Sequence, residues 1–217
     1  MKTELLNDAL WLNFVQQAEL TSEQLAQFKL LFHMLKQANE IHNLTAKTDL
    51  KFVLEYHFLD SLALDKVMDM STLNFISDIG TGGGFPGIPL KIKYPHLKMI
   101  LIEVINKKIS FLETVIQELG LTNVIIYGQD WRTFLRKSDY TIDLFCCRAS
   151  LQPSELVRAF KPSSMYKNSK IVYWASENWQ PGLDVEPYIE KKYGYVIDSK
   201  KRFLVVLGNY TKSLDLV

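Results

Sequence analysis

The segment Phe75-Ile-Ser-Asp-Ile-Gly-Thr-Gly-Gly-Gly-Phe-Pro-Gly-Ile-Pro89 constrains this chain more than any other. An apolar run ends at Asp78, and four glycines follow between Gly80 and Gly84. Glycine reaches positive φ and lets a ligand approach the backbone closely. Pro86 and Pro89 suit the first turn of a helix, whose N-terminus offers unpaired N–H groups and the positive end of a dipole. A strand, a glycine turn and a helix start together make a cradle for a cofactor.

The cradle fits the texture of the chain around it. Strands are expected at 73–79, 98–104, 123–128, 142–147 and 170–175, alternating with helices at 86–94, 106–119, 130–137 and 153–160. Such alternation predicts an α/β fold with a parallel sheet covered on both faces. The continuously apolar runs Met99-Ile-Leu-Ile102 and Val124-Ile-Ile126 suit strands buried on both sides. Near the end, 193–198 and 202–208 read as an antiparallel hairpin. Residues 1–72 show helical spacing only, with Thr21 and Gln24 as a capping box and Asp49 as a cap for the next helix. The expected division is a helical cap, 1–72, on a cofactor-binding domain, 73–217.

Glycine spacing alone leaves the cofactor open, because Gly82-x-Gly84-x-x-Gly87 also satisfies the dinucleotide fingerprint. Glu103 ends the second strand, 23 residues after Gly80, and can accept both hydroxyls of a ribose. The alternative role for Glu103 is to cap the next helix. The third strand ends at Tyr127-Gly-Gln-Asp-Trp131, over which an adenine would lie; Asp130 can accept from its amine, and Trp131 can stack or pack in the core. Arg148 leaves the fourth strand where substrate meets cofactor. These features suit the adenosine of S-adenosyl-L-methionine (SAM) and of NAD alike.

Charge and cysteine content narrow the partners. Lys and Arg number 25 against 24 Asp and Glu, so no global basic field favours nucleic acid. Local basic clusters remain, and Lys47, Lys51, Lys107, Lys108, Arg132, Arg136 and Lys137 are the candidate RNA contacts. The adjacent Cys146 and Cys147 make neither a disulfide framework nor a metal site. No signal peptide or apolar span of membrane length is present in the sequence, which makes a cytoplasmic protein the expectation.

Several motifs in order resemble the glucose-inhibited division protein B family, bacterial methyltransferases of 16S ribosomal RNA that act on guanine N7. They are the glycine stretch itself, Asn39-Glu-Ile-His-Asn-Leu-Thr-Ala46, His57-Phe-Leu-Asp-Ser-Leu62, Asn106-Lys-Lys-Ile-Ser-Phe-Leu112, Arg148-Ala149 and Arg202-Phe-Leu-Val-Val-Leu207. The resemblance implies a class I SAM-dependent methyltransferase fold, a seven-stranded sheet with a C-terminal antiparallel hairpin, and a monomer acting on 16S rRNA or the small ribosomal subunit. It places Gly80, Gly82, Gly84 and Phe85 along SAM, Asp130 and Trp131 on the adenine side, and Arg148 at the remaining binding position. The chain departs from the family at Gln129-Asp130-Trp131, where an arginine, a small residue and glutamate are usual. It departs again at Tyr173-Trp-Ala-Ser176, where Leu-Lys-Gly is common. The rival readings are an NAD(P)-dependent oxidoreductase using the same cradle and a non-catalytic RNA-binding relative. Guanine N7 carries a free lone pair, so no catalytic base is assigned. His57 and Asp60 read as a structural pair in the cap, and no metal is called for.

Overall fold

The computed structural model describes residues 2–42 and 44–209. Asn43, within the Asn39–Ala46 motif, and the last eight residues of the expected cofactor domain lie outside the described residues. Helices α1 (Lys2–Ala18) and α2 (Ser22–His42) open the chain. The capping box forms as its spacing predicts. Thr21 N donates to Gln24 Oε1 at 3.0 Å, and Gln24 N donates to Thr21 Oγ1 at 3.2 Å. Gln24 Nε2 also reaches the carbonyls of Ile92 and Lys93, which ties the start of α2 to the sheet domain.

Asp49 caps the next helical stretch by accepting from Phe52 N. Sequence periodicity suggests one plain helix there. The structure instead runs α3 (Leu50–Phe52) into a π-helix (Val53–Leu59), α4 (Asp60–Leu62) and a 3-10 turn (Ala63–Lys66). The wider π turn moves the helix face between Tyr56 and Asp60, and such turns gather at functional sites.

Seven strands form one sheet, in the order β3 (Val124–Tyr127), β2 (Lys98–Ile102), β1 (Phe75–Ile79), β4 (Leu144–Arg148), β5 (Lys170–Ser176), β7 (Lys200–Leu207), β6 (Ile189–Ile197). β1 to β5 are parallel; β7 runs antiparallel between β5 and β6. Between them run α5 (Gly87–Lys93), α6 (Asn106–Glu118), α7 (Trp131–Lys137) and α8 (Pro153–Leu156). The helix predicted over 153–160 changes to a 3-10 turn at Val157–Phe160. The hairpin is longer than the periodicity suggests because β6 begins with Ile189-Glu-Lys-Lys192, which has no apolar alternation to read. As an edge strand it carries charge.

Side chains alternate between two cores, as period-2 geometry demands. Ile76, Leu101, Leu144, Cys146, Val172 and Leu204 face the cap, where they join Phe28, Leu31, Leu35 and Phe58. Ile79, Ile100, Ile102, Phe145, Cys147 and Val205 face α7 and α8. The first core therefore binds the helical cap directly to the sheet. Chain order reverses between β1 and β4, the position where open α/β sheets hold ligands beyond their carboxyl ends.

The glycine turn sits at that edge. Gly84 has φ +92°, and a Cβ there would lie 2.6 Å from Ile88 Cγ1 and 3.2 Å from Leu112 Cδ2. Gly84→Ala is expected to destabilise the fold by roughly 1–3 kcal/mol through overpacking. Urea unfolding should show this as a lower midpoint with an unchanged slope.

Candidate functional site

A cavity of about 520 Å³ opens over the carboxyl ends of the first four strands. Ile79 to Gly83 form its floor, with Ile102, Glu103, Val104 and Lys108 along one side. Asp130, Trp131 and Arg148 to Leu151 line another, and Leu44 and His57 of the cap close it together with Phe85 at the end of the glycine turn. Its size falls within the range of small-molecule sites.

Two carboxylates hold the floor. Asp78 Oδ2 accepts from Thr81 Oγ1 at 2.6 Å and from Gly87 N at 2.8 Å, spanning the whole turn. Burial pushes the Asp78 carboxyl up to about 6, against the pull of those two donors. Its contribution to stability is therefore present below its ordinary value and lost as pH rises through about 6. Glu103 Oε2 accepts from Gly82 N at 3.0 Å, and Lys108 Nζ stands 3.8 Å away. Glu103 Oε1 accepts from Val104 N and Ile105 N. Glu103 does not cap α6, whose N-cap Ile105 has no side-chain partner; it ties down the two residues before that helix and lines the cavity.

Gly82 decides what the floor can admit. It has φ +63°, and a Cβ there would meet nothing nearer than the Gly80 carbonyl at 4.0 Å. The space above it is the cavity, so any side chain would occupy ligand volume. Glycine here keeps backbone exposed to a close-lying ligand.

The opposite wall differs in detail from the sequence reading. Asp130 lines the cavity, but it is also the N-cap of α7, with Thr133 N on Oδ1 at 2.9 Å and Thr133 Oγ1 on Oδ2 at 3.1 Å. Those bonds hold its carboxyl below the usual range. Trp131 is buried and packs between Phe134 and Phe145, and its indole N–H donates to the Glu155 carbonyl at 3.1 Å. Only part of the ring reaches the cavity. The Asp130-x-x-Thr133 spacing is itself a capping signal that the sequence carries.

Arg148 is turned toward the cap. Nη1 donates to the Tyr56 carbonyl at 2.9 Å and to Asp60 Oδ2 at 3.0 Å, and Nη2 lies 3.2 Å from His57 Nδ1. Its guanidinium lies over the Phe85 ring. His57 and Asp60, expected to form a pair, meet through this arginine. Guanidinium only donates, so His57 Nδ1 accepts and the proton resides on Nε2. Nε2 then donates to Thr45 Oγ1 at 2.7 Å, and Thr45 donates on to the Lys47 carbonyl. Burial, with Arg148 and Arg202 nearby, lowers the His57 pKa to about 3. His57 also stacks on Phe85, with centroids 4.7 Å apart. It is the cavity-wall residue that spacing alone does not reveal, because its partners come from distant segments.

The basic candidates fall in different places. Lys51 pairs with Asp198 at 2.9 Å, and Lys47 lies over Phe52. Lys107 lines a separate apolar groove beside Met34 and Phe111, while Lys108 joins the cavity wall. Arg132 pairs with Glu155, and Arg136 lies beside it along a second depression. Lys137 follows at the end of α7.

The His57 result has a pH consequence. Its folded pKa lies below the ordinary 6.5, so its stabilising contribution is complete above pH 6.5 and is lost as pH falls toward 3. The ring resonances of His57 should therefore not titrate by NMR from about pH 8 down to about pH 5. A midpoint near that of free imidazole would contradict the buried neutral tautomer.

Comparison with known proteins agrees with this geometry. The model of the GidB family, rRNA small subunit methyltransferase G, matches residues 24–177. A protein of Geobacillus sp. (strain WCH70) named Ribosomal RNA small subunit methyltransferase G is 42% identical over 139 residues, 63% of this chain and 58% of that protein. Against that relative the chain thus spans under two thirds of the length. The protein of the same name from Listeria monocytogenes is 36% identical over 201 residues, 92% of this chain and 84% of that one. Among solved structures, the METTL16 methyltransferase domain superposes with a TM-score of 0.58 at 14% identity, covering 87% of this chain and 81% of that one, a likeness of fold. Among the described residues, no helix is long and apolar enough to cross a membrane, and no group of His, Cys, Asp and Glu is arranged to hold a metal ion. This chain belongs to the rRNA small subunit methyltransferase G (GidB) family.

Proposed function

We propose that the cavity binds SAM and that the chain transfers its methyl group to N7 of a guanine in 16S ribosomal RNA. The protein acts in the cytoplasm as a monomer, and the helical residues 1–72 present RNA to the cofactor domain, 73–217. The observation that carries this reading is the Gly80–Gly84 floor, open above Gly82 and braced by Glu103 at the β1–β4 switch point. In this reading Glu103 meets the ribose, Asp130 and Trp131 the adenine side, and Gly80, Gly82 and Phe85 the length of the cofactor; Gly84, expected to join them, does not line the cavity and turns toward Ile88 and Leu112. The antiparallel β7 between β5 and β6, together with the family, disfavours a nicotinamide oxidoreductase.

SAM supplies an electrophilic methyl on sulfur. The protein supplies orientation, which can lower a barrier by roughly 7–11 kcal/mol. Guanine N7 already carries an in-plane lone pair, so no proton has to leave before transfer. The imidazole on the wall fits that economy, since both its nitrogens are engaged, by Arg148 and by Thr45. It has no free lone pair with which to take a proton. Phe85 and the stacked His57 ring form an apolar plate that excludes water from the cationic centre. Arg148 is a positioning residue in this scheme, holding that plate against the cap.

SAM and S-adenosylhomocysteine should raise the melting temperature, and NAD and NADP should not. Gly82→Asp, which directs a side chain into the cavity beside Glu103, should abolish that shift. Deleting the gene should remove an N7-methylguanosine from 16S rRNA that the wild-type gene restores and the Gly82→Asp gene does not. An unchanged modification would refute the substrate assignment. Without a titrating base, the single-turnover rate should stay within about twofold from about pH 6.5 to about pH 8.5; a tenfold rise with pH would point to a general base.

A further inference from the structure

Four cations that lie apart in sequence meet at one open trough of about 370 Å³. Arg132 and Arg136 stand one turn apart on α7, and Arg158 and Lys161 come from the segment after α8. Leu135, Ser163 and Ser164 complete the lining. Only the first two cations are recognisable as a pair in sequence.

One carboxylate arranges the cluster. Glu155 Oε2 accepts from Arg132 Nε at 2.9 Å and forms an ion pair with Arg158, whose Nε stands 3.0 Å away. A guanidinium has five N–H donors in a planar fork. Bonding through Nε leaves the terminal Nη edge of each fork for another partner. The side chains of Arg132 and Arg158 are 58% and 41% exposed, so those edges meet solvent. Glu155 therefore orders two forks side by side without covering them, and four positive charges stand against Glu155 and the neighbouring Asp130 carboxylate. Planar forks with parallel donors match the oxygens of phosphate.

The cavity and the trough meet at consecutive residues at the start of α7. Asp130 and Trp131 line the cavity, and Arg132, the next residue, lines the trough. Trp131 Nε1 is fixed to the carbonyl of Glu155, the residue that clips the two arginines.

We propose that this trough is a backbone subsite for the RNA substrate, where Arg158 and Lys161, with Arg132 and Arg136, grip the phosphodiesters next to the target base. The subsite rests on the proposed RNA substrate and specifies where the strand lies. Glu155 is a positioning residue here; it sets the forks and contacts no RNA.

The test is filter binding of a 16S rRNA fragment at several salt concentrations, with S-adenosylhomocysteine binding measured on the same samples by calorimetry. Arg158→Ala/Lys161→Ala should weaken RNA binding about tenfold and reduce the salt slope by roughly 1.4, the value for two lost contacts to single-stranded nucleic acid. Cofactor affinity and melting temperature should match wild type. Arg158→Lys/Lys161→Arg, which keeps both charges, should recover most of the RNA affinity. Unchanged affinity and slope in the alanine variant would overturn the subsite even in an enzyme that methylates normally. Loss of inorganic phosphate binding with RNA affinity intact would make the trough a small-anion site and overturn it too. RNA binding that depends on the trough, in a protein that transfers no methyl group, would support the subsite and refute the methyl-transfer reading instead.

Discussion

The contact between Asp60 and Arg148 holds the molecule's halves in one arrangement. Asp60 is 1% exposed and sits on the helical stretch of the cap. Its carboxylate receives Arg148 Nη1 from the end of β4 at 3.0 Å and Tyr195 Oη from β6 at 2.6 Å, with Arg202 of β7 at 3.5 Å. Its carbonyl takes the Trp174 indole N–H of β5 at 2.8 Å. Burial, and then the Asp60 charge, push the Tyr195 phenol upward, so it stays a neutral donor. A buried ion pair adds little net stability over an apolar equivalent, because desolvation offsets most of the attraction. Losing one partner is different: the other is left charged and buried, which costs about 3–5 kcal/mol. The pair therefore acts mainly on registry. It fixes where the cap sits over the carboxyl ends of the sheet.

That placement sets the cavity. Arg148 reaches from Asp60 to His57, and His57 stacks on Phe85, which ends the glycine loop. The loop is thus held from above through the cap and from below by Asp78 and Glu103. Each contact restrains atoms that line the cavity. A reaction that needs orientation more than proton transfer gains from this kind of restraint. The same contacts explain the histidine. An imidazole with both nitrogens committed and a neutral ring serves as a flat wall.

Features fixed by neighbours in sequence are legible without the structure. The period-2 strands, the glycine turn, the Thr21–Gln24 box and the Asp49 cap each depend on residues a few positions apart. The role of Arg148, and through it that of His57, is not, because the partners of Arg148 lie 88 to 92 residues away and an arginine at a strand end looks alike with or without them. The π turn at Val53–Leu59 is also hidden, because its residues have ordinary helical periodicity. Asp130 is intermediate. Its cap is readable from Thr133, but the resemblance draws attention to the adenine contact first. Arg158 and Lys161 become a cluster only where α7 packs beside the segment after α8.

A near-zero net charge sits uneasily with an RNA partner until the arrangement of the charges is considered. The carboxylates do not simply dilute the cations; several of them orient cations. Asp198 holds Lys51, Glu103 faces Lys108, and Glu155 clips Arg132 to Arg158. Such pairs weaken the long-range field, which governs steering and non-specific adhesion. They leave short-range donors in place, and hydrogen bonds of that kind to phosphate depend on geometry as well as on charge. Under the proposed subsite, selectivity for an RNA strand comes from the arrangement of charge and not from its total.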